Sequence, residues 1–212
     1  MILLDKIISQ PWVYRAWMAP FADKKFAPIF RHNDLAQVRR VLDVGCGPGT
    51  NARHFANQQY LGIDLNERYV ESAARRYGRR FIAADAAEFV ARANDRFDFI
   101  LVNSFLHHLD DATTRRILSN LAGLLTEDGH IHILELVLPT SASLARFLAR
   151  ADRGKYPREK REWLQVFHET FEQAALDHFE LRYSESSCGR CFISKAGFGE
   201  QTKYVSLPKH IS

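Results

Sequence analysis

Three cysteines in 212 residues, Cys46, Cys188 and Cys191, are too few for a disulfide framework, and that scarcity fits a reducing compartment. Long apolar runs are missing as well. No stretch approaches the roughly 20 residues that a membrane-spanning helix needs. The opening Met1–Trp12 has only a short Ile-Leu-Leu run broken by Asp5 and Lys6, without the basic front or apolar centre of a secretory signal. The expectation is a cytoplasmic protein. No repeat, low-complexity tract or Pro/Gly/Ser-rich linker divides the chain, which excludes a solenoid and a disordered polypeptide. One-sided charge is lacking too: the net charge is +4, but 25 acids are interleaved with 29 lysines and arginines. The densest basic groups, Arg75-Arg76, Arg79-Arg80 and Arg158–Arg161, read as solvated helix faces rather than a nucleic-acid surface.

What is present is an ordinary globular composition, 46% hydrophobic and 25% charged, and enough chain for one domain with a substantial core. From Arg40 onward short apolar runs alternate with helical patterns. Val41–Val44, Tyr60–Asp64, Phe81–Asp85, Phe97–Val102 and His130–Leu138 read as five strands. Between them, Thr50–Gln58 places Ala52, Phe55 and Ala56 on one helical face, and Val70, Ala73, Ala74 and Tyr77 recur at spacings of three and four. Ile117, Leu118, Leu121, Leu124 and Leu125 form a further stripe, with Gly129 as its expected C-cap. A long amphipathic helix carries Trp163, Val166, Phe167, Phe171 and Ala174 on one face. Phe179–Ser184 and Cys191–Phe198 then read as two strands around a Cys188-Gly-Arg-Cys191 turn. This alternation predicts a mostly parallel sheet with helices on both faces.

The most informative stretch is Val41-Leu-Asp43-Val-Gly45-Cys46-Gly47-Pro-Gly49-Thr50, placed where a strand ends and a helix begins. Glycines allow a sharp turn and a close backbone approach to a ligand, and a helix start presents free N–H groups. A nicotinamide fingerprint, Gly-x-Gly-x-x-Gly, would need its third glycine at position 50, which is Thr here, so the spacing weakens a dinucleotide reading. Asp64 ends the second strand, where an acid can accept two hydrogen bonds from ribose hydroxyls. Asp85 ends the third, where its carboxylate or the Ala86 N–H can meet an adenine edge. Asp64 and Asp85 have a plainer reading as helix caps or turn formers.

Together these motifs resemble the class I S-adenosylmethionine-dependent methyltransferases, closely over residues 39–138 and in the order of elements as far as Phe198. The resemblance implies a Rossmann-like, doubly wound, seven-stranded α/β sheet, mostly parallel with an antiparallel last strand. It implies that the loop Asp43–Gly49, including Gly45, Cys46 and Gly47, holds the methionine half of the cofactor. Asp64 with Leu65 would hold the ribose, Asp85 with Ala86 the adenine, and Asn103 and Ser104 would run under the amino-acid end. The stretch Phe97–Leu109 looks like the family's fourth-strand motif, and Phe179–Phe198 like its closing hairpin. Three subclass signatures are missing: Asn/Asp-Pro-Pro-aromatic after strand four (here Asn103-Ser-Phe-Leu106), a double-glutamate loop, and the clustered acids of magnesium-dependent catechol enzymes. The chain is most similar to the metal-independent small-molecule group, which includes quinone and natural-product enzymes.

Methyl transfer is an in-line displacement that depends mostly on holding the acceptor close and dry, so a strong base is needed only for a poorly acidic acceptor. For that role the candidates are His108 first, then His107, then Glu135 inside the fifth strand. The Cys188–Cys191 pair lacks the helix start of a redox motif and a partner pair for zinc, and no metal site is expected. The expected organisation is one domain, 1–212: a helical lid (1–38), a cofactor core (39–138), an acceptor-side insert (139–157), a last helix with terminal hairpin (158–198) and a tail (199–212). Trp12, Tyr14, Trp17, Phe21 and Phe26 in the first segment read equally as ordinary packing. The expected partner is a small, largely apolar acceptor, chosen by the lid and the insert, with no nucleic acid and no membrane span. The alternatives are a cofactor-binding protein of this fold with a repurposed reaction, and an RNA or protein methyltransferase.

Overall fold

The computed structural model describes residues 26–27, 29–30, 33–90, 95–140 and 155–171, together with the backbone of 174–183 and 186–197. The expected lid (apart from its last residues), the middle of the insert and the tail lie outside them. Five parallel strands form the centre: β1 (Arg40–Val44), β2 (Gln59–Asp64), β3 (Arg80–Ala83), β4 (Phe97–Asn103) and β5 (Leu125–Val137). An antiparallel pair, β6 (Ala174–Tyr183) and β7 (Ser186–Gly197), continues past β5 in the order β3-β2-β1-β4-β5-β7-β6. Strand order reverses between β1 and β4, whose registers align Val44 with Val102. Ligands of open parallel sheets bind in the crevice at such a switch point, outside the carboxyl ends of the strands.

The side-chain period of two sorts the apolar residues of each strand onto opposite faces. Leu42, Val44, Ile100, Val102, Ile131 and Ile133 join one core with Ile117, Leu118 and Leu121 of helix α2 (Asp111–Ala122) and Trp163, Val166 and Phe167 of helix α3 (Lys160–Thr170). Val41, Phe99, Leu101 and Leu134 face a second core with Phe26, Ile29, Ala52, Phe55 and Tyr60. Tyr77 of helix α1 (Glu67–Tyr77) packs against that second core. Local chemistry marks the helix ends. Asn66 accepts hydrogen bonds from the Arg68 and Tyr69 N–H groups at the start of α1, and Gly78 closes it at φ 61°. Asp110 caps α2, and Glu159 with Glu162 forms a capping box on α3.

Several boundaries differ from the sequence expectation. The segment after the glycine loop is a short 3-10 helix, Thr50–Phe55, rather than a helix reaching Gln58. β3 ends at Ala83, so Asp85 lies just beyond the strand. Leu124 lies in the turn before β5 and Leu125 opens that strand, the Leu124 carbonyl accepting the Phe97 N–H and Leu125 pairing with Phe97. Helix α2 therefore stops at Ala122 with Gly123 as its cap, and Gly129 lies inside β5, where a Cβ would come within 2.8 Å of the Phe97 carbonyl. Helix α3 ends at Thr170 with Phe171 as its C-cap, and Ala174 opens β6. The Cys188–Cys191 stretch is not a turn. It lies within β7, and the ladder closes at Tyr183 opposite Ser186, with a register shift opposite Leu181 and Arg182. No helix among the described residues is long and apolar enough to cross a membrane.

Candidate cofactor and active site

The loop after β1 turns through three left-handed glycines, Gly45 (φ 64°), Gly47 (φ 52°) and Gly49 (φ 74°), a region that side-chain-bearing residues rarely enter. Space forbids a side chain as well as backbone strain. A Cβ on Gly45 would lie 2.5 Å from the Phe105 ring, and one on Gly49 2.8 Å from Phe81. The Cys46 N–H donates to Ile63 O (3.0 Å), prolonging the β1–β2 ladder into the loop. Cys46 itself is buried, and burial pushes its thiol well above the usual range, so it packs as an inert apolar residue.

Asp64, at the end of β2, grips this loop. Its Oδ2 accepts the Gly47 N–H and its Oδ1 the Asn66 N–H, both at 2.8 Å. Partial burial raises its carboxyl, against the two backbone hydrogen bonds. Each oxygen of a carboxylate offers more than one acceptor direction, so both retain capacity for a vicinal diol. Leu65, next in the chain, is 69% exposed, a large apolar side chain left open at the crevice. Asp85 accepts the Ala87 N–H at 2.8 Å and shapes the turn after β3, with Ala86 buried behind it. These two acids thus perform turn-forming work, as in their plainer reading, while standing at neighbouring strand ends.

Asp43 is completely buried beneath the loop. Its carboxyl accepts from Tyr60 Oη (2.5 Å) and from Asn51 Nδ2 (3.1 and 3.3 Å). Asn51 Oδ1 in turn accepts from Asn103 Nδ2 (3.3 Å), and Asn103 Oδ1 from Ser104 Oγ (3.2 Å). This chain ties the β1 and β4 ends across the switch point. Tyr60 and Asn51 escape sequence reading, although a tyrosine opening a buried strand needs a partner for its hydroxyl. Burial pushes the Asp43 carboxyl from 3.8 up to about 7, outweighing the lowering hydrogen bonds from Tyr60 and Asn51. The native state then binds a proton that the unfolded chain has released between those values, so stability falls as pH rises through that window. Asp43→Asn should remove this loss. The stability of the variant relative to the parent should rise by about 4 kcal/mol between pH 4 and 7.5 in denaturant unfolding. An unchanged difference would show that Asp43 is ionised throughout.

Past Asn103, Ser104 adopts φ 53°, the one non-glycine with positive φ among the described residues. That turn aims successive N–H groups at one point. The point is Glu135 Oε1 of β5, which accepts from Phe105 N (2.7 Å) and Leu106 N (2.6 Å), while Oε2 lies 2.6 Å from His107 Nδ1. Burial alone would raise the Glu135 carboxyl, but the His107 charge and hydrogen bond and the two backbone donors hold it below its usual range. An ionised carboxylate only accepts, so His107 Nδ1 carries the proton. Glu135 and His107 are both buried, whereas His108 is exposed, with its ring centre 4.2 Å from that of His107. The three sequence candidates for a base are thus brought together, but only His108 is open to solvent. Arg158, expected on a solvated face, is 4% exposed and packs against this same loop. Among the described residues, no group of three or more His, Cys, Asp or Glu is placed to hold a metal ion.

A family model described as a methyltransferase domain matches residues 41–129, the stretch that builds this crevice. Over that stretch, less than half of the chain, the protein is similar to a methyltransferase domain. The chain is 35% identical over 107 residues to an uncharacterized methyltransferase of Mycobacterium bovis, covering 47% of this chain and 52% of that one. It is 33% identical over 122 residues to the O-methyltransferase resE of Aspergillus sclerotiorum, covering 51% and 46%. The chain thus spans about half the length of the curated relatives it matches. Among solved structures, the fold of this chain is similar to that of 1,6-didemethyltoxoflavin-N1-methyltransferase from Burkholderia thailandensis, with bound 1,6-didemethyltoxoflavin and S-adenosylhomocysteine. That likeness has a TM-score of 0.66 and 20% identity, over 92% of this chain and 86% of that one.

Proposed function

We propose that this chain transfers the methyl group of S-adenosylmethionine to O, N or C of a small, largely apolar molecule, and that it does so in the cytoplasm. The observation that carries the reading is the Asp64 carboxylate at the β2 end. It is hydrogen-bonded to Gly47 of the glycine loop and keeps acceptor capacity on both oxygens. The donor set fits the cofactor: a carboxylate for the ribose diol at Asp64, exposed Leu65 beside it, Asp85 with Ala86 at the next strand end, and Asp43–Gly47 with Asn103 and Ser104 at the switch point. When bound, S-adenosylmethionine supplies an electrophilic methyl on a sulfonium. The chain's own part is to bind, align and exclude water.

In this reading Glu135 and His107 are positioning residues, and His108 is the group that takes an acceptor proton where one must be removed. The sheet is read as the family's seven-stranded doubly wound form, closed by the β6–β7 hairpin. Acceptor choice is assigned to the segments before β1 and after β5, where Tyr156 is 43% exposed close to His107. The O-methyltransferase relative and the toxoflavin-type structure support a small acceptor. The test incubates the full chain with methyl-labelled cofactor and a panel of phenols, quinols and heteroaromatic amines, with RNA and protein as separate arms. Label in a small acceptor is expected. Label confined to RNA or protein would overturn the acceptor class.

A further inference from the structure

We propose that Arg158 is a positioning residue of the active site: its guanidinium brackets His107 and His108 by holding the carbonyls on either side of them. This rests on the reading above that His108 faces the acceptor. Arg158 Nη1 donates to Leu106 O (3.2 Å) and Nη2 to Leu109 O (2.7 Å), so the two-histidine turn is pinned at both ends by one rigid fork. The remaining donors are also engaged. Nε reaches Asp111 Oδ1 (2.8 Å), Nη1 also reaches Tyr156 O (3.4 Å), and Nη2 also reaches Thr114 Oγ1 (3.4 Å). All five N–H groups of the guanidinium therefore have acceptors, and its carbon lies 4.7 Å from the Trp163 ring centre.

Main-chain bonds at the same point join this turn to the chain that returns from β5. Tyr156 N–H donates to His107 O (3.0 Å), and Leu138 N–H donates to Arg158 O (2.8 Å). Tyr156 is thus bonded to the histidine turn, and Arg158 itself to Leu138, the residue just past β5.

Stability alone is a poor reason to keep a cation here. Arg158 is 4% exposed, but its ionic partner Asp111 has a side chain 57% exposed, and an ion pair with a solvated partner contributes little. What an apolar side chain cannot do is hold two carbonyls three residues apart, and a lysine, a point charge with three donors, cannot reproduce the planar fork. The geometry thus gives the arginine a placing role that its charge does not explain.

The test uses the full chain with carbon-13-labelled histidine, its ring resonances assigned through His107→Gln and His108→Gln. In Arg158→Met the His107 and His108 rings should shift and broaden, while those of His54 and His130 stay in place. Adding S-adenosylhomocysteine should shift the His108 ring in the parent and no longer do so in the variant, although the affinity for that compound changes by no more than about threefold, as for a distant site. Arg158→Lys, which keeps charge and stem, should restore part of the response and decides the matter if the methionine variant fails to fold. Unmoved His107 and His108 resonances in a folded variant would overturn the proposal. A parent protein that does not bind S-adenosylhomocysteine would instead overturn the cofactor reading, with the ligand-free spectra still judging Arg158.

Discussion

Glu135→Ala should destabilise the protein by about 3–5 kcal/mol at pH 7, the cost of removing one partner from a buried ion pair. The loss has three named sources. The Phe105 and Leu106 N–H groups lose their acceptor, and the buried His107 Nδ1–H loses its carboxylate. Because the Glu135 carboxyl is held below its ordinary value, its contribution is fully present above about pH 4.5 and is lost as pH falls through the lowered native value. The gap between parent and variant in denaturant unfolding should therefore shrink in acid. Glu135→Gln should cost less, because an amide oxygen still accepts the two backbone donors, but its N–H₂ group would force His107 into the other tautomer. Transfer activity should fall in both variants. A cost below about 1 kcal/mol for the alanine variant would fall under the range for a buried unpaired group and contradict the assignment.

Asp64→Ala should weaken binding of S-adenosylmethionine and of S-adenosylhomocysteine by about 2–3 kcal/mol, roughly 30- to 150-fold in Kd. Two losses act together. The carboxylate no longer accepts from the ribose diol, and the Gly47 N–H loses the 2.8 Å bond that fixes the glycine loop. Asp64→Asn separates them. An amide oxygen can take over only one of the two backbone donors, so an intermediate loss is expected. Calorimetric titration of folded variants checks both, and an unchanged Kd would place the ribose elsewhere.

The parts of this site that are local in sequence were legible without a structure. Val41–Val44 flows into its glycines within ten residues, and Asp64 and Asp85 follow runs whose apolar continuity marks buried parallel strands. The wiring beneath was not. Asp43 meets Tyr60 only because β1 and β2 lie side by side, it meets Asn51 only because the glycine loop turns the following 3-10 helix back onto it, and Glu135 meets residues 105–107 only because β4 and β5 are neighbours. Arg158 sits in a basic run whose composition says surface, and only the fold turns that one side chain inward. The end of α3 departs from the sequence pattern for a related reason: the spacing of Phe171 and Ala174 fits a helical face, but Ala174 is taken into the ladder with β7. In the sequence Glu135, a carboxylate inside the apolar fifth strand, reads as a third candidate base. Its partner being His107 makes it a support for the turn and leaves His108 as the open member of the set.

The most direct measurement is a calorimetric titration of S-adenosylhomocysteine into the full chain with a metal chelator present. Saturable binding of one molecule per chain is expected, displaced by S-adenosylmethionine and weakened in Asp64→Ala. No detectable binding at about millimolar ligand, where the binding free energy is only about −4 kcal/mol, would contradict the assignment of the crevice at Asp43–Gly49, Asp64 and Asp85 to this cofactor.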